Sequence, residues 1–250
     1  MADFCDSLAA LNRDITACCK CTRLVTHREE MGRVRRRAYR EQEYWSRPVP
    51  GFGDPAARLL VMGLAPGAHG ANRTGRVFTG DRSGEFLYRA LWETGFANQA
   101  ESISREDGLQ LKDAYITGPV RCAPPDNKPT LSEISACRPY LVRELELLTR
   151  VRVVVALGGI GLNAYLSVLQ ARGQISSRAS FSFGHGLRYL PVTGGPAVIA
   201  CYHPSQQNTS TKRLTSQMLR EIFVQARELI HAPDGQTTAQ TDGALGGRLP

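Results

Sequence analysis

Short apolar runs alternate along the chain with segments whose apolar residues recur every three or four positions. Arg58-Leu59-Leu60-Val61-Met62, Asp113 to Thr117, Val151 to Leu157 and Pro196 to Cys201 read as buried strands. A helix capped by Ser83 is expected up to Gly95. Three more are expected: Leu131 to Arg150, kinked by Pro139 just after Cys137, Ile160 to Ala171, and Thr211 to Ile230. Strands that alternate with helices imply βαβ units with right-handed crossovers. The predicted fold is α/β, a three-layer α/β/α sandwich around a central, mainly parallel four-stranded sheet. Residues 1–231 are expected to form one domain. Residues 232–250, rich in Gly, Thr and Gln, read as a disordered tail.

One connection breaks this rhythm. Nineteen residues, Gly63 to Asp81, separate the first strand from the helix that follows it, far more than a βα connection needs. They are rich in Gly and polar side chains, and Phe78 is their one large apolar residue. A long loop on the carboxyl edge of a strand is where open α/β sheets bind ligands. A surface excursion with turn glycines is the plainer reading. Two more segments leave strands in the same way. Val120 to Thr130 carries three prolines and Asn127, whose amide offers both a donor and an acceptor. As a plain turn residue, Asn127 would bond its own backbone. Tyr202 to Thr209 leaves the fourth strand with His203 at the sheet edge.

Charge and cysteine content sharpen the picture. The 250-residue chain is 42% hydrophobic, carries a net charge of +8 and has a pI near 9.3. A basic balance suits a polyanionic partner such as nucleic acid, or serves solubility alone. No apolar run is long enough for a membrane span, and the acidic start MADFCDSLAALNRD lacks a signal pattern, so an intracellular location is expected. The densest positive stretch is Arg33-Val34-Arg35-Arg36-Arg37, inside a run from Arg23 to Arg47 that also holds four glutamates. It reads as a phosphate-contacting surface or as a solvated helix with Glu–Arg pairs. Seven cysteines in such a chain argue for metal or catalysis rather than disulfides. Cys18 and Cys21 form a C-x-x-C pair, and Cys122 and Cys137 could complete a four-thiolate site. Zinc and an iron–sulfur cluster both use such sets, and spacing does not separate them.

Four stretches carry a resemblance to a known family. GLAPGAHG…NRTGR.FTGD, RCAPPDNKPT, YHPSQQNT and the N-terminal C-x-x-C occur in the order seen in family 5 uracil-DNA glycosylases, the UDGb branch of the uracil-DNA glycosylase superfamily. The resemblance implies a monofunctional N-glycosyl hydrolase of DNA repair. Such an enzyme acts as a monomer on uracil in double- and single-stranded DNA and leaves an abasic site. It implies a [4Fe-4S] cluster on Cys18, Cys21, Cys122 and Cys137. Gly67, Ala68 and His69 follow Pro66, where many superfamily members place an acidic or amide residue that positions water. Gly118 stands where family 4 relatives read uracil with Asn, so Asn127 is the substitute reader and a roomier pocket is expected. Acceptance of hypoxanthine and exocyclic-adduct bases fits that room.

Glycosidic cleavage leaves an anionic base and a cationic sugar, which assigns expected roles. His203 donates to a carbonyl oxygen of the leaving base. Phe78 stacks on the flipped base. Gly63, Leu64 and Ala65 line the pocket. Asp81 orients water or faces the sugar cation, unless it only caps the following helix. A zinc-thiolate nucleic-acid-binding protein without catalysis is the alternative, but it leaves the 63–81 segment idle. A redox iron–sulfur protein is a third, which the basic surface does not favour.

Overall fold

The computed structural model describes residues 6–190, 195–232 and 248–249. The elements in chain order are α1 (Leu8–Thr16), α2 (Thr22–Val34), β1 (Phe52–Gly53), β2 (Leu59–Met62), α3 (Ala71–Thr74), α4 (Arg82–Glu93), β3 (Ala114–Thr117), α5 (Leu131–Leu147), β4 (Val153–Leu157), α6 (Gly159–Ala171), β5 (Arg188–Tyr189), β6 (Ala197–Cys201), α7 (Gln206–Ser210), α8 (Ser216–His231) and β7 (Arg248–Leu249). Short 3-10 turns cover Arg37–Tyr39 and Pro125–Asn127. The expected tail falls outside the described residues, apart from Ala232 and β7.

The four expected strands form the parallel centre in the order β3-β2-β4-β6. The sheet is wider than expected. β1 pairs antiparallel with β3 on one side, and β5 then β7 extend it antiparallel beyond β6. Each added strand is only two residues long, too short to show a period of two.

Alternation along the strands builds the two outer layers. Leu59 and Val61 of β2, with Val153, Val155 and Leu157 of β4, pack against Leu87 and Leu91 of α4 and Phe223 of α8. Leu60, Met62, Val154 and Ala156 point the other way, to Leu141 of α5 and Leu162 and Leu166 of α6. Both faces of the central strands are therefore apolar, as a sheet covered on two sides requires. α5 opens with a capping box, Thr130 and Glu133, and runs through Pro139 as one helix. α4 begins two residues earlier than a Ser83 cap would place it, and its cap is Asp81 rather than Ser83: Asp81 Oδ1 accepts the Gly84 N–H at 2.9 Å.

The pairing register aligns Met62 with Thr117 and Ala156, and Leu157 with Cys201. The segments that begin at Gly63, Gly118 and Tyr202 therefore leave the sheet along one carboxyl edge.

Candidate active site

A cavity of about 1060 Å³ opens at that edge. Gly63, Leu64, Ala65, Phe78, Asp81, Asn127 and His203, the seven residues singled out in the sequence for base binding and catalysis, all line it. They come from three segments separated by up to 140 positions, brought together by strand order. The space exceeds what a single base fills, and it lies where parallel sheets place ligands.

The 63–81 segment is an internally braced wall. α3 interrupts it, and the buried Asn72 donates to the Arg28 carbonyl at 3.1 Å. Arg73 donates to the carbonyls of His69 (2.8 Å) and Gly80 (2.6 Å), and its guanidinium carbon stands 3.9 Å from the centre of the Tyr39 ring. Arg76 grips Asp107 through two bonds of 2.9 and 2.7 Å. Both arginines are therefore structural. Phe78 is held at a φ of 52°, a costly conformation for a bulky residue. Its ring covers Gly63, where an added Cβ would come within 2.8 Å of it. The same ring faces His203, with centroids 5.7 Å apart and planes tilted by 31°.

Asp81 uses its two oxygens differently. Oδ1 caps α4, while Oδ2 lies against the Gly67–Gly70 turn, where a Cβ at Gly70 would stand 1.9 Å from it. Only glycine at position 70 leaves room for that carboxylate. Burial raises the Asp81 pKa, against the opposing pull of the Gly84 and Ser83 N–H groups and of Arg73. Burial pushes His203 down to about 4, so its imidazole is neutral at physiological pH. The Asn208 amide holds the His203 carbonyl at 2.8 Å. Asn127 sits at the rim, exposed, at a φ of 56°. Its backbone N–H bonds the Pro124 carbonyl at 3.2 Å, as in a turn, and its side chain is at the mouth of the cavity.

Several lining residues gave little sign in the sequence. His69 lines the cavity and shares a 3.1 Å hydrogen bond with the Tyr44 hydroxyl. Burial lowers its pKa, and Arg36 and Arg73 push the same way. Arg121 lies beneath the floor in a fully buried network. It donates to Glu144 at 2.7 Å and to Thr117 at 2.6 Å, and Thr117 and Tyr115 also donate to Glu144. Glu144 follows Arg121 by 23 positions, so only folding reveals the pair.

Cys18, Cys21, Cys122 and Cys137 surround one small pocket behind this floor. Leu24, Val120 and Ile134 pack around it. Burial raises the thiol pKa of Cys21 and Cys137 and pushes Cys122 up to about 11. Two groups oppose that effect. The Arg28 guanidinium donates to Cys122 Sγ at 3.1 Å, and the Arg121 N–H bonds Cys137. Arg121 thus borders both the cavity and the cysteine pocket.

The arginine-rich run divides into two kinds. Arg23 is tied to Glu133 of α5 by bonds of 2.8 and 2.9 Å, Arg28 is buried, and Arg33 pairs with Glu30. These hold the fold or a helix face together rather than waiting for phosphate. Arg36 and Arg37 are exposed without a carboxylate partner among the described residues, and Arg36 borders the cavity.

Fold and site together define a doubly covered α/β protein with a cavity across the carboxyl edge of its parallel strands. The family model of the uracil DNA glycosylase superfamily matches residues 50–227. A type-5 uracil-DNA glycosylase of Thermus thermophilus is 51% identical over 220 residues, covering 88% of this chain and 97% of its own. One from Mycobacterium bovis is 49% identical over 224 residues (89% and 82%), and one from Pyrobaculum aerophilum is 44% identical over 209 (84% and 87%). The chain belongs to the uracil-DNA glycosylase superfamily, within its type-5 branch.

Proposed function

We propose that the protein flips uracil out of DNA and hydrolyses its N-glycosidic bond, leaving an abasic site in an unbroken strand. The observation that carries this reading is the convergence in one cavity of a half-buried neutral imidazole, an aromatic ring facing it and a half-buried carboxylate. Heterolysis of the C1′–N1 bond sends the electron pair to the base. His203, uncharged, donates a hydrogen bond to the base oxygen on which that charge gathers. Phe78 holds the base by stacking. Asp81 Oδ2 faces the sugar, offsets its positive charge and orients the water that adds to C1′, whose released proton leaves to solvent. Asp81 Oδ1 meanwhile stays on α4, so helix position and carboxylate position are fixed together. The cavity exceeds one pyrimidine in volume, and Gly118 lines it without a side chain. That supports acceptance of hypoxanthine and other deaminated or adducted bases, with Asn127 reading their edges from the rim.

The cysteine pocket fits a [4Fe-4S] cluster. Buried thiols with raised pKa values need a positive partner to stay as thiolates, and hydrogen bonds from Arg28 and Arg121 favour that form. A zinc ion uses the same thiolate set, so metal analysis decides between the two. Bound there, the cluster would staple the segment before α2 to the domain behind the cavity floor.

Incubation of the protein with oligonucleotides carrying uracil or hypoxanthine tests the reading. Release of free base with the strand intact is expected. Binding without release would leave the non-catalytic alternative, and iron content with an absorption band near 400 nm would separate cluster from zinc.

A further inference from the structure

A second concavity, of about 820 Å³, shares a wall with the active cavity. Gly70 and Ala71 face the active cavity and Gly75 faces the second one, so α3 lies between them. A helix of this length rises about 6 Å. That is about two nucleotide steps along a strand, at ~3.4 Å each.

The charge of this cleft is one-sided. Arg13, Arg28, Arg47 and Arg105 line it against one carboxylate, Glu29, which reaches Arg28 at 3.7 Å. Arg13, Arg47 and Arg105 are exposed and have no carboxylate partner among the described residues. The guanidinium carbons of Arg47 and Arg105 lie 5.6 and 4.4 Å from the centre of the Trp45 ring. Stacking on an indole fixes such heads while their N–H edges stay available. α3 itself holds this platform, because the Trp45 and Ser46 N–H groups bond the carbonyls of Arg73 and Asn72 at 2.9 and 3.0 Å. Ser46 keeps a φ of 49°, which turns the chain between Trp45 and Arg47. Arg28, 5% exposed, has an Nε without a partner, and so do the buried Ser46 Oγ and Asn12 Oδ1. The first two are unused donors. The third is an acceptor and suits a water.

We propose that this cleft is a phosphate-binding subsite that grips the DNA backbone beside the flipped nucleotide, with Arg47 and Arg105 as its contacts. The ligand chemistry is a phosphate oxyanion, and only its source, a DNA strand rather than free phosphate, rests on the glycosylase reading. Bidentate guanidinium contacts on a fixed platform would hold the strand in register while α3 carries the cavity wall.

The test compares parent protein with Arg47→Gln/Arg105→Gln on a uracil-containing duplex and on the same duplex without uracil. Both duplexes should bind about tenfold more weakly, with the slope of log affinity against log salt smaller by about two. Excision at subsaturating protein should fall by the same factor. Arg13→Gln on the outside of α1 is a second, milder variant and should lower the slope alone if the double variant melts early. Equal slopes for parent and both variants would overturn the proposal. So would millimolar inorganic phosphate raising the melting temperature of the parent but not of the variant while duplex slopes agree, because the site would then take free phosphate. A parent that releases no uracil yet shows the slope loss leaves the subsite standing and removes the glycosylase reading. Uracil release without slope loss removes the subsite alone.

Discussion

Asp81→Asn separates two jobs that one carboxylate holds. Asn caps a helix about as well as Asp, so the 2.9 Å bond from the Gly84 N–H survives. The oxygen against Gly67 and Gly70 becomes an uncharged amide NH2 group of about the same size. Asp81→Ala removes both, and a lost cap costs about 1 kcal/mol, or ~2–4 °C in a chain of this size. The charge acts on stability with the opposite sign. Burial raises the folded-state pKa of Asp81 above its unfolded value. The stability such a group contributes is present below the unfolded pKa and is lost as pH rises through the folded pKa. At neutral pH the Asp81→Asn protein should therefore melt at or above the parent, and the advantage should vanish in acid. Activity should move the other way. A positioned carboxylate is worth about a hundredfold or more in rate, and the loss should be similar for every accepted base, since all leave one sugar cation. Parent activity should also fall in acid as pH drops through the raised pKa of Asp81, and the Asp81→Asn variant should lack that limb. Calorimetry at neutral and acid pH, paired with single-turnover excision, reads both effects. If Asp81→Ala excised within about threefold of the parent while melting lower, Asp81 would be a cap and nothing more.

His203→Ala should bind uracil duplexes nearly normally and cleave them about a hundredfold to a thousandfold more slowly in single turnover, because its bond strengthens as the base becomes anionic. Asn127→Ala should change the ranking of uracil against hypoxanthine, and competition between the two substrates measures it; a uniform effect on both would mean a turn residue. Cys137→Ala should lose iron and melt lower together, whereas Cys201→Ala, in β6 and remote from the cysteine pocket, should keep full iron content. Arg36→Gln should lower the salt slope of duplex binding by about one, and Arg33→Gln, whose partner is Glu30, should leave it nearly unchanged.

The parallel core was legible because its strands are unbroken apolar runs bounded by glycine. The cavity was legible because motif residues stand where those runs end, so strand order alone brings Gly63, Asn127 and His203 together. Other features depend on distant partners. Arg76 and Arg121 carry no local mark that sets them apart from surface arginines; Asp107 and Glu144, 31 and 23 positions away, bury them. In the sequence Arg23 and Arg28 belong to an arginine-rich run; in the fold Glu133 and Cys122 occupy their tips. Asp81 and Ser83 are both good capping residues, and only the backbone geometry of α4 chooses between them. β1 and β5 are visible only once β3 and β6 offer their edges.

The central claim is that this cavity breaks the glycosidic bond of a flipped uracil with His203 stabilising the departing base. Its most direct test is the amount of free uracil released, by chromatography, from a uracil-containing duplex under single-turnover conditions, with parent and His203→Ala proteins side by side at matched occupancy. One uracil per bound duplex, released by the parent and about a hundredfold or more slowly by the variant, is the expected result. No uracil from the parent, or equal rates from both proteins, would contradict it.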